Sequence, residues 1–160
     1  MNKQDGFTLI ELVVVIVILG ILSVTAAPRF LNLQSDARVS ALQGMKGAMA
    51  GAGSIVYGKA AINGVETMPT SGISNGASTI NTVFGYPSAD EKGIVQAVQG
   101  LEDDTEWVFS EANAQLFPSQ ALAVTFAGRD ITDGSECAVI YQNAADEFST
   151  PVITVEKTGC

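Results

Sequence analysis

Apolar residues are spread very unevenly along this chain. From Phe7 to Ala27 they form one block of 21 residues, broken only by Thr8, Glu11, Gly20, Ser23 and Thr25. A helix of that length is about 31 Å long at ~1.5 Å per residue, which matches a ~30 Å hydrocarbon core, so the block can span a bilayer. Gly20 weakens the helix. Pro28 lacks an N–H and crowds the carbonyl four residues earlier, so a bend is expected there. From Arg29 the pattern becomes amphipathic: Leu42, Met45, Met49, Ala52 and Val56 recur at spacings of three and four, with Asp36, Arg38, Gln43 and Lys46 among the polar positions. Such spacing makes one apolar helical face, able to pack on a globular head. Gly44, Gly47, Ala48, Ala50, Gly51 and Gly53 lower intrinsic helicity but allow close backbone approach, and are read as tight packing against a sheet.

Residues 61 to about 104 are rich in Gly, Ser, Thr, Asn and Pro, with turn signals at Asn63-Gly64, Asn75-Gly76 and Tyr86-Pro87, and read as a loop region. Within it a short helix is expected from Ser88 to about Gln99, capped by Ser88 or Asp90 and facing Ile94, Val95 and Val98 inward. Four strands follow at Glu106–Ser110, Ala121–Phe126, Cys137–Tyr141 and Val152–Glu156. Short polar connections favour an antiparallel sheet, whose apolar face needs a cover that the amphipathic half-helix can supply. The expected fold class is α+β: a long N-terminal helix on a small four-stranded antiparallel sheet. Its parts are 1–6 as a leader, 7–28 as the apolar helix, 29–60 as the amphipathic half and 61–160 as the head.

Charge and chemistry narrow the function. Eight Lys and Arg against 17 Asp and Glu give a net charge of −9, which repels a phosphate backbone and argues against nucleic acid. The chain has no histidine, which removes the commonest general base, the commonest zinc ligand and every Ser-His or Cys-His pair. No carboxylate couple stands out for acid–base work, and the expectation is no enzyme, no cofactor and no metal. Cys137 and Cys160 lack CxxC spacing; a disulfide is their simplest use, with free thiols the alternative, and it would place the body of the protein in an oxidising compartment.

Glu11 is the residue that needs a reason. An ionised carboxylate inside a span costs roughly 2.5–3.5 kcal/mol on insertion scales. The alternative of a cleaved secretory signal, with Thr25-Ala26-Ala27 as its small-x-small site, leaves the length of the run and Glu11 unexplained. The run Gly6-Phe7-Thr8-Leu9-Ile10-Glu11-Leu12 resembles the processing and assembly motif of type IV pilins and type II secretion pseudopilins. That resemblance implies cleavage after Gly6 by a prepilin peptidase and N-methylation of the new N-terminal Phe7. It also implies a Glu11 carboxylate paired with the terminal ammonium of a neighbouring subunit. A buried charge is tolerated when partnered, and cleavage creates a partner at the same depth. The leader departs from the family in carrying Asp5 and a single lysine. The resemblance further implies that Gly20 to Pro28 can lose helical hydrogen bonds in a filament, and that the segment between Cys137 and Cys160 is a surface loop used in contacts or recognition.

Two other patterns carry less. Gly53 to Lys59 formally matches GxxxxGK, but Ala60 stands where a magnesium-binding hydroxyl belongs and no strand precedes it. Glu102, Asp103, Asp104 and Glu106, and again Asp130, Asp133 and Glu136, read as solvated surface charge rather than a calcium site, having no EF-hand loop. Gly6 to Arg38, with Ala27-Pro28-Arg29-Phe30-Leu31-Asn32-Leu33-Gln34, is similar to mannose-sensitive haemagglutinin pilins of marine Gram-negative bacteria. The function so implied is the major subunit of a type IVa pilus serving attachment, aggregation and biofilm formation. Its partners would be copies of itself, the prepilin peptidase, an inner-membrane platform with its ATPase, and an outer-membrane secretin. The subunit would sit in the inner membrane with its N-terminus cytoplasmic, and after assembly in the extracellular fibre. The alternatives are a secretion pseudopilin and a membrane-tethered binding protein that never polymerises.

Overall fold

The computed structural model describes residues 6–76, 78–103, 105–111, 120–129 and 137–160, without the side chains of residues 28, 30–32 and 111. The leader before Gly6, Asp104, and the acidic group Asp130, Asp133 and Glu136 lie outside the described residues. The chain divides into two compact units, Met1–Ala37 and Arg38–Cys160.

One helix, α1, runs from Leu9 to Asn63, through Gly20 and Pro28 without interruption. In the first unit its hydroxyls bond back to carbonyls of the preceding turn, Ser23 Oγ to Leu19 O at 2.7 Å and Thr25 Oγ1 to Leu22 O at 3.0 Å, so neither needs an outside partner. The helix stops at Gly64, whose φ of 68° lets the chain reverse. There Gly64 N donates to Ala61 O and Val65 N to Ala60 O, satisfying the last carbonyls.

In the second unit the C-terminal half of α1 packs against two antiparallel sheets. The expected sheet is present as the sequential order β4 (Trp107–Glu111), β5 (Ala121–Phe126), β6 (Ala138–Gln142) and β7 (Val152–Glu156). Leu42, Met45 and Met49 of α1 meet Leu122 and Val124 of β5 and Val139 and Tyr141 of β6 in one core. Trp107 and Phe126, paired across β4 and β5, stack with ring centroids 4.7 Å apart. The sheet is not apolar on one face alone: on β5 Ala121, Ala123 and Thr125 are as buried as Leu122 and Val124. The Thr125 hydroxyl is satisfied by the Cys137 carbonyl at 2.7 Å.

Two expectations are corrected. The loop region contains a second sheet, β1 (Ser71–Ser74), β2 (Thr79–Val83) and β3 (Tyr86–Pro87). Ile73 and Ile80 face each other across β1 and β2 and close on Val56 and Ala60 of α1, forming a second small core. The expected helix after Ser88 is a π-helical turn, Glu91–Val95. Its inward residues are as expected, Ile94, Val95 and Val98 being buried, but neither cap forms. Ser88 gives its hydroxyl to Asn81 O, and its carbonyl accepts from Ile94 N at 2.8 Å. A Cβ on Gly93 would stand 2.1 Å from that carbonyl, so the tight winding there requires glycine.

Candidate functional site

The first helical turn is closed by its own residues. Thr8 precedes α1 and Glu11 is the third residue inside it, the spacing of a capping box. Thr8 N and Thr8 Oγ1 donate to the same carboxylate oxygen, Glu11 Oε2, at 2.8 and 2.7 Å, and Glu11 N returns a bond to Thr8 Oγ1 at 3.4 Å. Sequence reasoning that sought a partner for Glu11 only in another subunit passed over this local one. The signal was present as Thr-x-x-Glu at the head of an apolar run. Phe7, just outside the cap, is 83% exposed.

From Leu9 to Ala27 the helix is long and apolar enough to cross a membrane, with mean hydropathy 2.8, and none of it is buried within the chain. Isoleucines, leucines and valines are exposed all round it. A helix apolar on every side has no polar face for water, and its surface suits a lipid environment.

The second half of α1 also presents an uncovered face. Leu42, Met45, Met49 and Val56 are buried, as the spacing predicts; Ala52 on the same face is half-buried, and Ala60 is buried as well. Ala41, Gly44, Ala48, Gly51, Ile55, Gly58 and Ile62 lie on exposed positions and recur at alternating intervals of three and four. That is a period of ~3.5, the repeat of a helix–helix seam. The expectation that the small residues pack tightly on a sheet is therefore overturned. A Cβ added at Gly44, Gly47, Gly51 or Gly58 would meet nothing within 4 Å; among the glycines in this stretch Gly53 does touch the body, 3.8 Å from Tyr86. Composition alone cannot separate the two cases, since a small residue is equally small facing in or out. The same helix absorbs Gly53 to Lys59, so the backbone N–H groups a phosphate loop would offer are spent inside α1.

In the second unit Cys137 and Cys160 form a disulfide. Around it Cys137 N donates to Thr158 O at 2.7 Å, Arg129 Nη2 to Gly159 O at 2.7 Å, and Arg38 Nη1 to Cys160 O at 2.9 Å. The last residues of the chain are thus tied to β6 covalently and to α1 through Arg38. The enclosed segment carries Phe148, which is 89% exposed. Glu156 accepts from Thr158 N and Oγ1, and those donors hold its carboxyl below the usual carboxylate range. Asp103 Oδ1 accepts from Thr105 Oγ1 at 2.9 Å, a local turn rather than part of a ligand cage. Among the described residues no group of three or more His, Cys, Asp or Glu side chains converges.

The profile of the prokaryotic N-terminal methylation motif matches residues 1–27. That motif is the signal of type IV pilins and pseudopilins; over these residues the chain is similar to them, and the apolar N-terminal helix it covers is suited to membrane anchoring. No solved structure matches the chain with significance.

Proposed function

We propose that this chain is the major subunit of a type IVa pilus, polymerised through α1 into a fibre for attachment to surfaces, aggregation and biofilm formation. The observation that carries the proposal is the helix Leu9–Ala27, which lies within the methylation-motif match and, among the described residues, is left uncovered by its own chain. The seam from Ala41 to Ile62 extends uncovered apolar and small surface along the same helix. A chain that must bind copies of itself along its length needs such a surface, whereas a tethered monomer needs only a span.

In this reading a prepilin peptidase cuts after Gly6 and Phe7 is N-methylated. The new ammonium of one subunit then approaches the Glu11 carboxylate of the next. Both Thr8 donors reach Oε2, and the amine adds a charge-assisted partner to a group already oriented by the cap. Gly20 and Pro28 bound the part of α1 that gives up helical bonds when subunits pack. Before assembly the subunit spans the inner membrane with its N-terminus cytoplasmic. A platform with its ATPase and an outer-membrane secretin then extrude it. Similarity to mannose-sensitive haemagglutinin pilins, and the Cys137–Cys160 bridge, favour the pilin over a secretion pseudopilin.

Electron microscopy of fibres sheared from cells, with N-terminal sequencing of their subunit, tests this. The expected result is a fibre whose subunit begins with methylated Phe7, and a Glu11→Ala strain that accumulates subunit in the membrane without fibres. A mature protein beginning beyond Ala27, or normal fibres from the variant, overturns it.

A further inference from the structure

Asparagine followed by glycine occurs at Asn63-Gly64 and at Asn75-Gly76, and both pairs are exposed. Such a pair is reactive because glycine has no side chain to keep its nitrogen away from the asparagine amide carbon. The two sites differ in what surrounds the reacting atoms. Asn63 closes α1, and Gly64 N is spent on Ala61 O at 3.2 Å, so ring closure there requires the last helical turn to open. Asn75 stands in the turn between β1 and β2, outside regular structure.

We propose that Asn75 is a site of spontaneous modification, converted by its own turn to aspartate and isoaspartate through a succinimide. Each reacting atom has a group in place. The nucleophile is Gly76 N, which donates to Ser74 Oγ at 3.3 Å, an acceptor that can pass the proton on to water. The electrophile is Asn75 Cγ, whose Oδ1 accepts from Ser78 N at 2.8 Å and from Ser78 Oγ at 3.1 Å. A backbone N–H can only donate, so it fixes which end of the amide is the oxygen. Negative charge develops on that oxygen as the nitrogen attacks, and two donors already aimed at it act as an oxyanion hole. Asn75 N donates to Ser78 O at 3.0 Å and holds the two ends of the turn together. The space beside Gly76 is open to water: a Cβ added there would meet nothing within 4 Å, and its φ of 98° suits glycine.

The chemistry balances with water alone. Hydroxide takes the Gly76 amide proton, the nitrogen bonds to Cγ, and Oδ1 becomes an oxyanion held by Ser78. Its collapse breaks the Cγ–Nδ2 bond, and that nitrogen leaves as ammonia with a proton from water. A second water opens the ring at either carbonyl, giving aspartate or, with the main chain rerouted through Cγ, isoaspartate. Either product adds a negative charge to a chain already at −9. Isoaspartate also lengthens the backbone beside the Ser74–Thr79 pair, which leads into the contact of Ile73 and Ile80 with Val56 and Ala60. The smaller sheet therefore loosens as the molecule ages. The site belongs to the second unit and stands whether or not the chain polymerises.

The test incubates the full chain in detergent, in heavy-oxygen water at neutral and mildly alkaline pH, beside a sample unfolded in urea. Peptides are mapped by mass spectrometry, with isoaspartate distinguished by electron-transfer fragmentation. The Asn75 peptide is expected to take up heavy oxygen faster in the folded chain than in the unfolded one, and faster at the higher pH. The Asn63 peptide should show the reverse order of folded and unfolded rates. Ser78→Ala should slow the reaction at Asn75 by about fivefold, the worth of one ordinary hydrogen bond, and Ser78→Thr should keep the parent rate. Near-UV circular dichroism checks that both variants are folded. A serine that merely restrains the asparagine would have the opposite effect, since its removal would speed the reaction. The proposal is overturned if folded Asn75 reacts no faster than unfolded Asn75, if Asn63 is the faster site in the folded chain, or if Ser78→Ala leaves the rate unchanged or raises it.

Discussion

The two units treat apolar surface in opposite ways. Leu9 to Ala27 carries the most apolar stretch of the chain and buries none of it, while Arg38 to Cys160 is rich in Gly, Ser and Thr and builds its core from scattered single residues. Leu19 is 55% exposed and Leu122 is fully buried, yet both are leucines in regular secondary structure. Hydrophobicity therefore has two uses in this molecule. In the second unit it drives folding of the chain; in the first it is left exposed, which suits anchoring in a membrane. α1 makes the division within one element, since Leu42, Met45 and Met49 serve the fold on one face while Gly44, Ala48 and Gly51 stay uncovered on the other.

Truncating one leucine of each kind separates the two uses most clearly. Leu122→Ala opens a cavity between α1 and the sheet and should cost about 4 kcal/mol of stability. Leu19→Ala should leave the second unit's melting unchanged. Near-UV circular dichroism of the one tryptophan, Trp107, which stacks on Phe126, reads that unit directly in detergent-solubilised chain. Equal loss from both substitutions would mean that the apolar helix also supports the fold.

What the sequence disclosed divides along the same line. The apolar block was legible because membrane length and continuity are properties of composition. The strands of the larger sheet were legible within a residue at each end because Trp107-Val-Phe, Ala121 to Phe126, Val139-Ile-Tyr and Val152-Ile-Thr-Val are β-prone runs between turns. The smaller sheet was not. β1 reads Ser-Gly-Ile-Ser and β2 reads Thr-Ile-Asn-Thr-Val, so each offers the core only one large apolar residue, Ile73 or Ile80, amid turn-forming neighbours. The π-helical turn was hidden because its winding depends on Gly93 meeting the Ser88 carbonyl, a contact no periodicity records. At the candidate site, Phe7 and Glu11 stood out by motif, whereas the exposed seam could not, since its direction is decided by which face the sheets cover.

A second contrast lies between covalent and ionic ways of holding the head. The disulfide closes a sequence separation of 23 residues, worth about 3.5 kcal/mol on the chain-entropy model. Reduction, or the double change Cys137→Ser with Cys160→Ser, should lower the denaturant midpoint accordingly, and chelation of calcium should leave it unmoved. The opposite pattern would turn the reading toward a calcium-stabilised pseudopilin. Arg38 and Arg129 bond the carbonyls of Cys160 and Gly159 and not the sulfurs, so reduction alone should cost less than reduction combined with Arg38→Ala.

The smallest expected effect concerns Tyr141, a phenol set in the core of the second unit. Its ring is fully buried in the core and its hydroxyl donates to Pro87 O at 2.7 Å, joining β6 to the end of β3. Burial pushes the phenol well above its ordinary range, and the nearby Tyr86 phenol adds to the rise. The unfolded phenol ionises near pH ~10 while the folded one stays neutral, so the contribution is complete below that pH and is lost as pH climbs past it, by about 1.4 kcal/mol per unit. Tyr141→Phe leaves the Pro87 carbonyl without this donor and should cost about 1–2 kcal/mol at neutral pH. Denaturant melts at intervals from pH 8 to 11 should show a steep alkaline decline in the parent and a shallower one in the variant. Some slope should remain from Tyr86, whose phenol is itself raised by burial and by Tyr57. An unchanged slope would place the Tyr141 hydroxyl in water, and with it break the link between the two sheets that the second unit depends on.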